Sequence, residues 1–124
     1  MAVDFGVKIG STGNLLNATL RDGAGLPIPL TVGILDVRLY MRSIDADTNK
    51  INGAICTIRD DGTEALRGVV EYAWTPGDID TVGVYNAEFK ITFSNGKIIR
   101  VPEEPTSEHE SPRYFRIAVG EALG

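Results

Sequence analysis

The architecture is clearest in residues 68–101, GVVEYAWTPGDIDTVGVYNAEFKITFSNGKIIRV, which read as strand, loop, long alternating strand, tight turn and strand. From Val84 to Phe93 apolar and polar side chains alternate. This is the period-two pattern of a β-strand with one face on a core and the other in water. The Asn95-Gly96 pair that follows predicts a two-residue type I′ hairpin turn. The stretch therefore predicts antiparallel β-structure.

Short apolar alternations separated by turn residues continue along the rest of the chain, a spacing typical of a sandwich or barrel. The predicted strands are Phe5–Ile9, Leu15–Arg21, Leu35–Arg42, Ala54–Arg59, Gly68–Trp74, Val84–Phe93, Lys97–Val101 and Tyr114–Val119. Alternation favours antiparallel sheets, because parallel strands buried on both faces read as continuous apolar runs. No helix of three turns is indicated.

Three local features refine this prediction. In Leu35–Arg42, alternate positions 37, 39 and 41 are apolar and predict a buried face. A two-residue loop at Asn95-Gly96 places Ile91 opposite Arg100, a mismatch that a β-bulge or an edge position would explain. Trp74 ends its strand on an apolar face and is interpreted as a core anchor.

Length, composition and charge limit the classes of function that are expected for this chain. The 124 residues fit one domain, 1–124, with 43% apolar and 23% charged residues. Twelve basic against seventeen acidic residues give a net charge of −5, and no basic cluster is interleaved with exposed aromatics, so nucleic acid is not expected as a partner. Cys56 is the single cysteine, which indicates a reducing compartment. No secretion signal and no apolar run near the ~20 residues of a membrane span is visible, so we expect no membrane association.

Catalytic patterns are weak. The single histidine, His109, lies among four glutamates in Glu103–Glu110 and is interpreted as a solvated loop residue, or at most a weak pH sensor. A Ser/His/Asp triad would have to use it. Cys56 alternates with apolar residues and is interpreted as a core side chain, not a nucleophile. Three clustered carboxylates are interpreted as solvated turn formers and not as an acid–base pair: Asp60, Asp61 and Glu64. We therefore predict no catalytic residues and no enzyme.

The sequence motifs that could bind a cofactor or a metal ion each lack required residues. Gly10–Gly13 has no following lysine, and Gly23–Gly25 leads into a proline and not a helix, so both are predicted to be turns. Asp45–Asn49 opens like a calcium loop, but Lys50 occupies the glycine position and Cys56 that of the bidentate glutamate. We expect no cofactor and no metal ion.

Asp80–Ala87, DTVGVYNA, resembles the tyrosine-corner segment of immunoglobulin-like sandwiches, in which a tyrosine hydroxyl bonds back to the preceding turn. The resemblance makes Tyr85 the corner tyrosine. Ala87 stands where such domains carry their second core cysteine, which implies that apolar packing replaces the usual disulfide.

Nearly the whole chain is similar to the immunoglobulin-like domain of baseplate upper proteins and other small virion proteins of tailed bacteriophages. The matching motifs are a D-x-x-G-x-P turn, a Met-Arg pair, a Y-x-W strand, an acidic-Thr-Gly-Tyr turn, an alternating E-F strand and a closing hairpin: Asp22–Pro27, Met41-Arg42, Tyr72–Trp74, Asp80–Tyr85, Glu88–Phe93 and Asn95-Gly96. The proline-flanked acidic segment Pro102–Pro112 is longer than usual for such domains.

The resemblance implies an all-β, antiparallel immunoglobulin-like sandwich of about seven to eight strands. It also implies a structural protein of a phage particle, a baseplate or tail adaptor, connector or decoration subunit assembled in the host bacterial cytoplasm. Its partners would be other virion proteins and copies of itself. The alternative is a carbohydrate- or receptor-binding adhesion module, for which Tyr40 and Tyr114 are the candidate exposed aromatic residues.

Overall fold

The computed structural model of the protein describes residues 4–13, 15–103 and 114–123. These residues form nine β-strands and one 3₁₀ turn, Pro76–Asp78. The strands are β1 (Phe5–Lys8), β2 (Leu15–Thr19), β3 (Ile34–Ser43), β4 (Ile51–Ile55), β5 (Thr57–Ile58), β6 (Val69–Ala73), β7 (Gly83–Phe93), β8 (Ile98–Val101) and β9 (Phe115–Gly120). The described part of the chain has no helix with the length and apolarity to cross a membrane. The predicted all-β class is confirmed.

Two sheets share one apolar core. The larger has the strand order β1-β9-β7-β3-β4, with β8 also paired to β7, and the smaller has the order β2-β6-β5. Side chains from both sheets join a single buried cluster. Its largest fully buried members are Phe89, Leu20, Leu39, Met41, Ile79, Ile91 and Ile117. Burying a side chain of this size contributes roughly 1.5–3 kcal/mol, so this cluster holds the two sheets together.

Strands β3 and β7 form the centre of the larger sheet. The side chains of Val37, Leu39 and Met41 have no solvent exposure, which confirms the predicted buried face. Residues between them, such as Arg38 and Tyr40, project to the opposite side of the sheet, which we call the outer face. A charged and aromatic surface therefore lies directly above the core.

One pairing differs from the predicted antiparallel arrangement. Strand β1 runs parallel to β9, from the pair Phe5 and Ile117 to the pair Lys8 and Gly120. The prediction was wrong here because a half-buried strand alternates in the same way whichever direction its partner runs. The two strands are more than a hundred residues apart, so no hairpin forces them to be antiparallel.

The hairpin between β7 and β8 is not the predicted type I′ turn. The N–H of Gly96 donates to the Phe93 carbonyl (2.9 Å), and the N–H of Phe93 donates to the Lys97 carbonyl (2.8 Å), which gives a three-residue loop. Gly96 has a φ of +86°, whereas Asn95 has a negative φ. A type I′ turn needs positive φ at both central residues. Asn95 instead accepts the Lys97 N–H on its side-chain oxygen at 3.0 Å.

The third loop residue changes the register of the hairpin. Ile91 faces Ile99, and Lys90 faces Arg100. These two pairs match apolar with apolar and polar with polar, whereas Thr92 faces Ile98. The mismatch of Ile91 with Arg100 predicted from a two-residue loop is absent, because one extra residue moves every side chain of β8 to the other face.

Strands β8 and β9 lie end to end along the same edge of β7. Val101, the last residue of β8, faces Phe89, and Phe115, the first of β9, faces Ala87. Together they resemble one long strand interrupted by residues 102–114. The acidic segment Pro102–Pro112 falls in this interval, and its residues 104–112 lie outside the described part of the chain.

The predicted strand Ala54–Arg59 begins three residues earlier and is divided in two. The N–H of Cys56 donates to the Val37 carbonyl in the larger sheet (2.8 Å), while Thr57 already faces Glu71 in the smaller one. The chain therefore passes from one sheet to the other at Cys56. The early residues were missed because they contain an Asn-Gly pair, which reads as a turn in the sequence.

The hydrogen bond of a tyrosine corner is present. The Tyr85 hydroxyl donates to the Thr81 carbonyl at 2.7 Å, four residues upstream. Tyr85 and Ala87 are both buried. Both side chains are therefore part of the apolar core.

Candidate functional site

Cys56 is a core residue, as the sequence predicts. Its side chain is buried, and burial raises the pKa of its thiol to about 12. The thiolate is the nucleophilic form of cysteine. The environment of Cys56 therefore suppresses its reactivity at neutral pH. The other catalytic candidate of the sequence, His109, lies outside the described residues.

The calcium-like loop Asp45–Asn49 joins β3 to β4 and is exposed. Asn49 accepts the Nε–H of Arg42 at 3.0 Å and donates to Asn52 at 3.0 Å. Lys50 forms an ion pair with Asp80, and the pKa of Lys50 is raised by that bond. Across the described ranges, no group of three or more His, Cys, Asp or Glu side chains is placed to hold a metal ion.

The predicted turn-forming carboxylates have structural roles. Asp60 accepts the backbone N–H groups of Leu30 and Gly68 on one oxygen and of Gly62 on the other, all at 2.9 Å. These bonds, led by that of Gly68, lower the pKa of Asp60. Asp61 has a lowered pKa because it accepts two bonds from its neighbour at position 63, while Glu64 is exposed. Asp60 thus ties the connection before β3 to the start of β6.

Both glycine-containing segments are turns, as predicted. Gly10, two residues after the end of β1, has a φ of +79°. In the second turn, one oxygen of Asp22 accepts the N–H groups of Ala24 and Leu26 at 2.9 and 3.0 Å. Each segment is thus organised by its own backbone.

Trp74 is buried, which confirms its interpretation as a core anchor. Its ring packs edge-on against that of Tyr72, with 5.6 Å between centroids. This arrangement is the favourable edge-to-face geometry of aromatic pairs. Trp74 therefore offers no surface to a ligand.

A groove of about 510 Å³ lies on the outer face of the larger sheet, near the end of β3 that leads to β4. It brings together Tyr40 and Tyr114, the two aromatic residues named by the carbohydrate-binding alternative. Arg42, Glu88 and Arg100 line it as well. Its size is within the range of pockets that bind small ligands.

Three cationic residues lie side by side beside this groove. Arg38 faces Lys90, and Lys90 faces Arg100; we call these three residues the basic row. Like charges directly opposite one another destabilise a sheet. Arg38 is compensated by Asp36 at 3.2 Å and Arg100 by Glu88 at 3.1 Å. Within residues 4–13, 15–103 and 114–123, no carboxylate forms an ion pair with Lys90.

Tyr40 organises the basic row. Nζ of Lys90 lies 5.6 Å from the centroid of its ring, and Cζ of Arg100 lies 5.8 Å from it. Both distances allow cation–π attraction. The Tyr40 hydroxyl sits against the backbone of Gly53, where an added Cβ would lie 3.1 Å from the hydroxyl oxygen. Tyr40 therefore holds two cationic groups at the edge of the groove.

The sequence did not reveal this cluster, because its members come from three strands. Arg38, Lys90 and Arg100 are isolated cations in their own alternating segments. The sequence itself contains no basic cluster interleaved with exposed aromatic residues, whereas the fold brings Lys90 and Arg100 to the half-buried ring of Tyr40. The pairing register of β3, β7 and β8 would have shown that Arg38, Lys90 and Arg100 are neighbours. The predicted register of the β7–β8 hairpin was wrong by one residue.

The chain matches no protein-family model, no curated protein and no solved structure.

Proposed function

We propose that this protein is a structural subunit of a tailed phage particle, a baseplate or tail adaptor, connector or decoration protein, and that it acts through protein–protein contacts. The similarity of its motifs to immunoglobulin-like virion domains supports the proposal. The two-sheet strand order and the bond between Tyr85 and Thr81 agree with that similarity. Its partners are other virion proteins and copies of itself.

The observation that carries this proposal is the open edge of β2. Among the described residues β2 pairs with β6 alone, in an unbroken register from Leu15 to Thr19. The strand has the sequence LLNAT, with no charge, no proline and no bulge, and the side chain of Leu15 is 53% exposed. Proteins that avoid association protect such edges with charges, prolines or bulges. An unprotected regular edge is suited to receiving a partner strand.

The orientation of the backbone N–H groups determines which of them lie on the open edge of β2. The N–H of Leu20, directly after β2, donates to the Gly68 carbonyl at 2.8 Å, on the side of β6. Backbone groups alternate between the two sides of an antiparallel strand. The N–H groups of Asn17 and Thr19 therefore point to the open side. A second copy can pair there across a two-fold axis, and so can a strand of a neighbouring virion protein.

Replacing Asn17 by proline tests this contact. Asn17→Pro removes an N–H on the open side and leaves the hydrogen bonds to β6 in place, because proline is tolerated on strand edges whose N–H faces outward. Asn17→Ala, the matched control, keeps that N–H. We expect wild type and Asn17→Ala to form the same oligomer by light scattering, and Asn17→Pro to form a smaller species with an unchanged circular dichroism spectrum. Equal masses for all three proteins would contradict association through β2.

The groove favours a second candidate function, the binding of carbohydrate or of a receptor. Tyr40 and Tyr114 line one groove although 74 positions separate them in the chain. Tyr114 is 40% exposed, so its ring is available for the apolar face of a sugar. Binding of the wild type, but not of Tyr114→Ala, to an array of glycans would support this candidate, whereas an array without any bound glycan would contradict it.

A further inference from the structure

We propose that the groove takes a carboxylate-bearing glycan, with Arg100 and Lys90 pairing with the carboxylate and Tyr114 packing against the sugar ring. This inference rests on the second candidate function, carbohydrate binding, and adds the charge of the ligand and the residues that select it.

The charge of the outer face supports an anionic ligand. The whole chain has a net charge of −5, yet in the described strands β3, β7, β8 and β9 five basic residues project from the outer face against the carboxylates of Asp36 and Glu88. The five are Arg38, Arg42, Lys90, Arg100 and Arg116. A positive surface on an acidic protein attracts anions locally. The ligand is therefore expected to carry negative charge.

The arrangement of the basic row also supports a carboxylate as the ligand group. Three cations placed directly opposite one another cost stability in the unliganded sheet. A carboxylate between Lys90 and Arg100 relieves this repulsion. Arg100 uses one Nη for Glu88, and a guanidinium has five N–H donors, so it retains donors for a ligand. The cation–π contacts with Tyr40 hold both cationic groups in place before a ligand arrives, which reduces the entropy lost on binding.

Hydrogen-bond acceptors in the groove favour a sugar over a nucleic acid. Glu88 and Asn49 both line it, and a carboxylate has several acceptor sites, so Glu88 can accept a hydrogen bond from a ligand while it pairs with Arg100. Sugar hydroxyl groups are donors as well as acceptors, whereas a phosphate backbone offers only acceptors and would be repelled by Glu88. Nucleic-acid binding also depends on neutralising many phosphates over a wide surface. A short groove lined by one carboxylate, that of Glu88, is better matched to a sugar that carries one charge.

The test uses matched ligands with the full chain. Oligogalacturonate and sialyllactose provide the carboxylate, and their methyl esters keep the same sugars without the charge. Binding is measured by calorimetry at low and at physiological salt. We expect the acids to bind at least tenfold more tightly than the esters, with an advantage that shrinks as salt rises.

Variants assign the roles of the residues. We expect Arg100→Gln and Lys90→Gln each to remove most of the preference for the acids, and Tyr114→Ala to weaken acids and esters alike. Lys97→Gln, which removes one exposed charge in the β7–β8 loop outside the groove, serves as the control and should bind as the wild type does. Using two cation variants keeps the test valid if one of them fails to fold.

Each outcome decides a different point. Equal binding of acids and esters would overturn the selection of charge and leave carbohydrate binding in place. Binding of none of the sugars would overturn both. Tighter binding of single-stranded DNA or polyglutamate than of either acid, with the same loss in Arg100→Gln, would overturn the glycan in favour of another polyanion. Masses measured by light scattering test the assembly function separately.

Discussion

The hydroxyl of Tyr72 donates a 2.6 Å hydrogen bond to Oδ2 of Asp78, and both residues are buried. The same oxygen accepts the N–H of Thr75 at 2.8 Å. Burial, and then the bond to Asp78, raises the pKa of the Tyr72 phenol. The 3₁₀ turn after β6 is thereby fastened to the strand that precedes it.

Tyr72→Phe removes only the hydroxyl and leaves the buried Asp78 carboxylate with one donor fewer. A hydrogen bond to a charged group contributes about 1.5–3 kcal/mol, so we expect a loss of that size in the free energy of unfolding, measured with urea. Tyr114→Phe is the matched control, because its ring is 40% exposed; it should change stability by less than about 0.5 kcal/mol. Equal stability of the two variants would contradict this role of Asp78.

The Asp60 carboxylate predicts a dependence of stability on pH. Its pKa in the folded protein lies below the ordinary value of 3.8. The ionised form therefore contributes stability above pH 3.8, and this contribution is lost as the pH falls through the folded-state pKa. We expect the stability difference between wild type and Asp60→Asn to be largest at pH 7 and to shrink toward pH 2, in urea unfolding at a series of pH values. A difference that stays constant over this range would contradict the account.

Gly68 is predicted to be irreplaceable at the start of β6. Its φ is +76°, and an added Cβ would lie 2.9 Å from the Leu20 carbonyl oxygen and 3.2 Å from that of Ile28. Backbone atoms cannot move aside as a flexible side chain does. We expect Gly68→Ala to cost about 1–3 kcal/mol of stability through this strain. Gly77→Ala, at a site with no atom within 4 Å of the added Cβ, should stay within about 0.5 kcal/mol of wild type.

Cys56 is predicted to be unreactive in the folded protein. Burial raises the pKa of its thiol to about 12, so very little thiolate is present at pH 8. We expect a disulfide reagent to modify Cys56 slowly in buffer and at the rate of a free thiol in denaturant, followed by absorbance. Rapid stoichiometric modification of the native protein would show that the side chain is accessible.

Patterns within one segment predicted much of the fold. The alternation of Val37, Leu39 and Met41 identified the buried face of β3, and the resemblance of Asp80–Ala87 to a tyrosine-corner segment implied that the Tyr85 hydroxyl bonds back to the preceding turn. Both features depend on residues close in sequence, where periodicity and local turn geometry decide the structure. The direction of β1 depended on a strand at the other end of the chain and could not be predicted from alternation.

The groove could be predicted only in part. Tyr40 and Tyr114 were named as exposed aromatic candidates, but nothing in the sequence shows that they line one groove. The basic row depends on the register of β3, β7 and β8 together, and one additional residue in the loop containing Gly96 was enough to misplace it. Asp60 was recognised as a turn former, whereas its bond to Leu30 spans 30 positions and belongs to tertiary structure.

Co-sedimentation with phage particles assembled without this subunit tests the proposed virion role most directly. The purified protein is mixed with such particles and centrifuged, and the bound protein is quantified over a range of concentrations. We expect saturable binding at a fixed number of copies per particle, abolished by Asn17→Pro and retained by Asn17→Ala. Wild-type protein that stays in the supernatant at every concentration would contradict a structural role in the particle.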